Sequence, residues 1–373
     1  MNERFESGNL SAVDQSPAAD QISAAEQLPV ADQLTAADAR ACPRSPEYDR
    51  AIEIFARNIY DPALIGDLNA LKSKHNCDIN SQADVIDFAN AEMAKLDPHS
   101  KLFTRAELEA LSRGHESDLG GASVASSRPE AEPPFQVEEK DLGSGIAYLS
   151  ISDFRSNRVL LEMSDALQKH ENAEAVVLDL RNNPGGSYSN AAHTSAFFMD
   201  TGKLYSAELR LDSPLEAPQF AHGSFQLTPN VMHEARDFEA HAYLRLPDLV
   251  DVPMVVLVNE GTASSSEMMA AALRENGDAK LVGTETAGQG VGQKYFPIPS
   301  LDAILAVSSL KFRNADGQWL GNGSRNRTGL TPDMLVEQSD GAVRGSANDS
   351  QLNAAVLYLQ VQIAAARKKG SAH

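Results

Sequence analysis

The chain has 373 residues, is 42% hydrophobic and 23% charged, and carries a formal net charge of −20. That length and balance suit a folded chain with a sizeable core. The acidity argues against a nucleic-acid partner, which needs a basic patch; the one dense basic run is Arg367-Lys368-Lys369.

Residues 12–41 repeat with a period of six: AVDQSP, AADQIS, AAEQLP, VADQLT, AADARA. Rich in Ala, Asp and Gln with few large apolar side chains, this stretch cannot offset its ordering entropy, so residues 1–44 read as a disordered tail. The first residues, MNERFESGNL, lack the basic and apolar regions of a secretory signal. No run of about 18 apolar residues offers a membrane span. The expected location is therefore cytoplasmic for the chain as written, and periplasmic or exported if a leader has been removed. Cys42 and Cys77 have no zinc-ligand spacing and are expected to be inert thiols.

Order is expected to begin at Ser45-Pro46-Glu47, an N-cap serine followed by proline in the first helical turn. Helical spacing continues through AIEIFARNIY and then from Ser81 to Lys95, where the turn LDPHS (96–100) ends it. Thr104 and Glu107 form a capping box for a further short helix. Residues 45–115 thus make a small N-terminal helical subdomain, and the Gly-, Ser-, Pro- and Glu-rich segment 116–145 reads as a linker.

From residue 146 strands and helices alternate. IAYLSI, AVVLDL, MVVLVN and KLVG are buried strands; 156–170, 264–276 and a C-terminal segment near 348–367 are helices. Residues 203–250 read as an irregular insertion or lid carrying Phe220, Phe225 and Tyr243, more simply a subdomain packed on the core. The alternation predicts an α/β fold, a mostly parallel sheet with helices on both faces, spanning 146–373.

Two glycine- or serine-rich turns carry chemistry. VVLDLRNNPGG (176–186) runs a buried strand into a loop whose glycines free backbone amides to face a ligand oxygen. VNEGTASSSEMMAAAL (258–273) ends a strand and opens a helix, so a serine there is exposed beside the helix's first amides. Each has a plainer reading, a tight turn and a serine N-cap respectively. A third segment, GTETAGQGVGQKY (283–295), precedes GLTPD (329–333).

In this order the three segments, with LDPHSKLFTRAEL, resemble the carboxyl-terminal processing serine peptidases and their tricorn-like relatives, over roughly 48–112 and 146–338. The resemblance implies a crotonase- or Clp-like sheet, Ser264 as nucleophile, and oxyanion donors on the amides of Ser265 and of Gly185 or Gly186. The base lysine of the Ser/Lys branch falls on Gln289, in Thr286-Ala287-Gly288-Gln289-Gly290, and the polar assistant of that lysine falls on Gln293. An amide does not titrate near neutral pH, so Gln289 can orient a hydroxyl but not deprotonate it. Lys294 is offset by one residue and points to the other face of an extended stretch.

Tricorn-like relatives use a histidine from the segment ahead of the sheet, which falls on His99 of LDPHS, a residue also read as structural. Their supporting Glu has no counterpart here; the nearest residue is Asn326. His193, His222, His233 and His241 are further candidates by type. Segment 116–145 is too short for the PDZ domain that many members carry. The sequence therefore implies a serine-type peptidase acting on polypeptide, or alternatively a silenced peptidase fold that binds peptide. A third reading is a crotonase-like acyl-CoA enzyme, for which no basic phosphate cluster is evident. No cofactor or metal is implied, and the oligomeric state is left open, a homo-oligomer included.

Overall fold

The computed structural model describes residues 44–114, 137–228, 231–236, 239–244, 252–320 and 328–370. The repeat at 12–41, Cys42, most of the expected linker and Asn326 lie outside them.

The N-terminal helices follow their sequence signals. Helix α1 (Pro46–Asn58) starts with Ser45 Oγ accepting from Tyr48 N–H. α2 (Leu68–Ser73) and α3 (Gln82–Leu96) start with Asp67 and Ser81 as side-chain caps. α3 ends at the LDPHS turn, where Ser100 Oγ donates to Asp97 and accepts from Ser308 N–H. The strand β1 (Lys101–Thr104) leads into α4 (Arg105–Gly114), where Thr104 N–H donates to Glu107 at 2.8 Å and Thr104 Oγ1 accepts from Glu107 N–H at 3.1 Å. That is the expected capping box. Cys77, expected as an inert thiol, is instead disulfide-bonded.

β2 (Val137–Asp141), inside the expected linker, is an edge strand of the first sheet. β3 (Ile146–Ile151) and β4 (Ala175–Asp179) flank α5 (Arg158–Lys169), and α6 (Tyr188–Ser195) follows the glycine turn. After β5 (Gly202–Arg210), β6 (Phe220–Thr228), β7 (Val231–Arg236) and β8 (Glu239–Leu244) come β9 (Met254–Val258), α7 (Ser265–Asn276) and β10 (Lys280–Gly283). β11 (Val291–Ile298), β12 (Ala303–Arg313), β13 (Met334–Leu335) and α8 (Ser350–Gly370) complete the chain.

One sheet has the order β13-β10-β9-β4-β3-β2, parallel throughout except for β2. Alternation along β4 shows why helices cover both faces. Val176 and Leu178 pack with α5 and α7 through Met163, Met268 and Leu273. Ala175 and Val177 face Leu352, Ala355, Leu359 and Ile363 of α8. Strands buried on both sides read as continuous apolar runs, as these do.

The second sheet is antiparallel, with the order β1-β12-β5-β6-β7-β8 and β11 also paired to β12. It corrects the reading of 203–250 as an irregular insertion: β5 to β8 form a regular antiparallel meander. It also ties the helical segment to the rest, since β1 pairs β12 and α1 buries Ile52 and Phe55 against Leu305 and Val307 of β12. No described helix is long and apolar enough to cross a membrane.

Candidate active site

β4 and β9 end side by side, and their loops carry the site. After Leu180, Arg181 and Asn182 the chain reaches Asn183, which is fully buried. Its Oδ1 accepts from Gly185 N–H at 2.9 Å and from Ser266 Oγ at 2.6 Å, while its carbonyl accepts from Ala263 N–H. One asparagine thus fastens the glycine turn to the serine turn. Gly185 has φ +94°, and a Cβ there would lie 2.8 Å from both Ala263 O and Ser264 Cβ. Only glycine fits so close an approach.

Ser264 has φ 57° and ψ −123°, a conformation that costs a non-glycine residue on the order of 1–3 kcal/mol. Of the three consecutive serines it is the one that remains partly exposed; Ser265 and Ser266 are buried. Ser265 N–H stands in the first turn of α7 and, like Gly186 N–H, has no acceptor among the described residues. Gly186 is exposed, whereas the Gly185 amide is committed to Asn183. The two open donors beside Ser264 are therefore Ser265 N–H and Gly186 N–H.

Glu267, one turn into α7 and fully buried, holds the strained turn in place. Its Oε2 accepts from Ser264 N–H at 2.9 Å and from Gln289 N–H at 2.8 Å; its Oε1 accepts from Gly288 N–H and Thr286 Oγ1. The Ser264 and Gln289 amide nitrogens are therefore no further apart than the sum of two hydrogen bonds. Burial pushes the Glu267 carboxyl up from its ordinary value, and these hydrogen bonds pull it back. The glycine-rich segment is locked further by Ala287 N–H on Thr262 O and by Leu330 N–H on Thr286 Oγ1. Asp333 of GLTPD accepts from Leu281 N–H at the start of β10.

The other expected residues separate clearly. Gln293, on β11, donates through Nε2 to the backbone carbonyl of His99 and accepts from Tyr295 at 3.3 Å. The LDPHS turn is thus brought beside β11. Lys294 is turned away and donates to Arg210 O at 3.0 Å. His193 Nδ1 lies 2.8 Å from Ser189 O within α6, and His222 pairs with Glu208. His233 and His241 lie on β7 and β8 of the antiparallel sheet. No titratable side chain among the described residues is hydrogen-bonded to Ser264 Oγ, and no cluster there could hold a metal ion.

Sequence reasoning missed Asn183 and Glu267. A signal existed for Glu267, because Ser264-x-x-Glu267 has the capping-box spacing. For Asn183 there was none beyond its place before the glycines.

Residues 145–336 match peptidase family S41. The chain is 31% identical over 225 residues to a carboxyl-terminal-processing protease of Picosynechococcus sp., covering 59% of this chain and 46% of that protein. It is 30% identical over 272 residues to one of Synechocystis sp., covering 72% and 56%. The CtpA protease of Bacillus subtilis is 31% identical over 205 residues, 54% of this chain and 37% of that protein. The chain spans about half the length of the curated relatives it matches. Its fold is similar to that of a photosystem II D1 C-terminal processing protease, with a TM-score of 0.55 at 17% identity over 79% of this chain and 94% of that one. A match over half the chain, on the strands and turns that carry Ser264 and Gln289, places the chain in peptidase family S41.

Proposed function

We propose that the chain is a serine-type peptidase acting on polypeptides, with Ser264 as nucleophile and the amides of Ser265 and Gly186 as oxyanion donors. The observation that carries this reading is the strained, partly exposed Ser264 beside two unpaired amides, next to the Gln289 amide on a shared carboxylate oxygen. Ser264 Oγ would attack the scissile carbonyl carbon, and the carbonyl oxygen would gain charge facing the two amides. Preorganised donors there supply the largest part of acyl-transfer catalysis. Collapse of the resulting tetrahedral species would break the scissile C–N bond and expel the amine, which takes up the proton lost by the serine hydroxyl; water would then hydrolyse the ester and restore Ser264.

The hydroxyl proton has no titratable acceptor at position 289. Loss of the base in a serine triad costs on the order of 10⁶ in turnover, with ~10³–10⁴ over water left to the oxyanion hole and binding. Gln289 therefore favours a second reading, a peptidase frame silenced at one position that retains peptide binding. His99, beside Gln293 through its own carbonyl, is the alternative source of a base.

Labelling with a fluorophosphonate probe separates the readings. Under the first, the unmodified chain labels, Ser264→Ala does not, and His99→Ala slows the reaction. Under the second, labelling needs Gln289→Lys, which raises the rate by a hundredfold or more on the general-base scale of about 10²–10⁴. A chain whose labelling is indifferent to Ser264→Ala in both backgrounds is not a serine peptidase.

A further inference from the structure

Helix α8 buries one face and exposes another that is also apolar. Leu352, Ala355, Leu359 and Ile363 pack on the sheet, yet Leu357 is 64% exposed and Val361 59%. A helix with one face in water ordinarily carries polar side chains there. The exposed pair belongs to a seam. Ser350, Ala354, Leu357, Val361, Ala364 and Lys368 recur at alternating steps of four and three, the spacing by which two helices pack side by side. All six are half-buried or exposed.

The seam is the same in kind from either end: an alanine, two larger apolar residues, an alanine. In an antiparallel pair of identical helices, Ala354 meets the partner's Ala364 and Leu357 meets the partner's Val361, and each contact occurs twice. A twofold interface demands that reciprocity. The alanines also let the two backbones approach closely on either side of the Leu–Val centre.

The charges have the same sense. At the N-terminal end of the seam, Ser350 Oγ donates to Glu337 O and accepts from Ser339 N–H, both at 3.0 Å. Those bonds set the exposed residues Glu337 and Asp340 beside that end, and neither carboxylate has an ion-pair partner among the described residues. The C-terminal end is basic: Arg367 pairs with Glu174, and Lys368 lies exposed on the seam. Antiparallel packing brings each basic end against the other copy's acidic end, whereas parallel packing would set like against like. It also opposes the two helix dipoles.

We propose that the outer face of α8 is a homodimer interface, in which two copies of this chain pack their α8 helices antiparallel about a twofold axis between Leu357 and Val361. With 21 residues in α8, the contact runs about 30 Å. One helix pair buries less than the ~800 Å² per partner of a standard interface, so the dimer forms reversibly, with a dissociation constant on the order of micromolar. The interface goes beyond the peptidase reading and holds whether or not Ser264 reacts.

Sedimentation velocity on the full chain, from about 1 to about 200 μM, tests it. A reversible monomer–dimer equilibrium is expected, weakened by added salt. Leu357→Glu should raise the dissociation constant tenfold or more while thermal melting shows the fold intact, since the side chain is exposed. Lys368→Glu should also weaken the dimer, and adding Asp340→Lys to it should recover the binding lost. A chain that stays monomeric at the highest concentration, a dimer indifferent to Leu357→Glu, or a Lys368→Glu defect that Asp340→Lys does not rescue would each overturn the proposal. A monomer that instead co-sediments with phosphatidylglycerol vesicles would give this face to a lipid surface, and overturn it too.

Discussion

Ser264 and Glu267 form a unit in which the strain of one residue is held by the hydrogen bonds of another. Helix α7 would begin without strain if Ser264 were an ordinary N-cap; instead its φ of 57° is maintained while Glu267 Oε2 accepts from its N–H. The same oxygen accepts from Gln289, so any loosening of Glu267 is felt in both the serine turn and the glycine-rich segment. Glu267→Gln keeps the shape but replaces one acceptor oxygen by an NH2 group facing backbone donors. Leaving buried donors unpaired costs about 1–3 kcal/mol each, so urea unfolding should report a loss of about 2–4 kcal/mol. The telling comparison is fluorophosphonate labelling of the folded variant, in the Gln289→Lys background if the parent does not label. A fall of tenfold or more is expected because Ser264 relaxes; an unchanged rate with lowered stability would reduce Glu267 to a helix cap.

At the scale of elements, the segments legible in the sequence are those whose burial is complete. β4 and β9 are buried at every position, so their apolar runs announce central parallel strands, and the turns after them are marked by Gly185, Gly186 and the serines. β5 was not legible as part of a sheet because its exposure does not alternate; its middle is half-buried on both faces. Asn183 and Glu267 were overlooked for a related reason: a buried polar residue satisfied by backbone donors leaves no periodic signature. The clamp between α2 and α3 is another such case. Burial alone would raise the pKa of Glu92, but hydrogen bonds from Lys74, Lys95 and His75 outweigh it and hold the carboxyl at about 2. A folded pKa below the unfolded one means stability that is present above the ordinary glutamate range and lost as pH falls toward 2. Glu92→Gln should therefore cost about 2 kcal/mol at neutral pH, with the gap to the parent closing between about pH 4.5 and pH 2. Thermal melts across that range check it; a gap independent of pH would mean that packing, not charge, is what Glu92 contributes.

Across the whole molecule, the C-terminal segment reaches back to the strand that carries the glycine turn. Arg181, two residues past β4, is buried and bonded to Asp179 on one side and to Asp349, just ahead of α8, on the other, both at 2.7 Å. Arg344 adds bonds to Asp179 and to the carbonyl of Arg181. These bonds join parts of the chain more than 160 residues apart at the point where β4 turns into Asn183 and Gly185. Burial alone would raise the pKa of Asp349, yet hydrogen bonds from Arg181, Gln338 and the Gly345 and Leu352 amides hold it well below the carboxylate range. Removing one partner of a buried pair leaves an uncompensated charge, so Asp349→Asn should cost about 3–5 kcal/mol at pH 7. By the same sign argument as for a depressed carboxylate, the stabilisation is full above pH 4 and fades as the solution becomes more acid than that. The difference between parent and variant in urea unfolding should accordingly shrink at pH 3. If the network also steadies the glycine and serine turns, Ser264 labelling should slow in Asp349→Asn under conditions where the chain is still folded. In Leu359→Ala, which opens a cavity between α8 and the sheet at a cost of about 2–5 kcal/mol but leaves Arg181 paired, labelling should hold its rate. Equal slowing in both variants would mean that the loops respond to global stability, and that the ion pairs hold the two ends of the chain together without tuning the site.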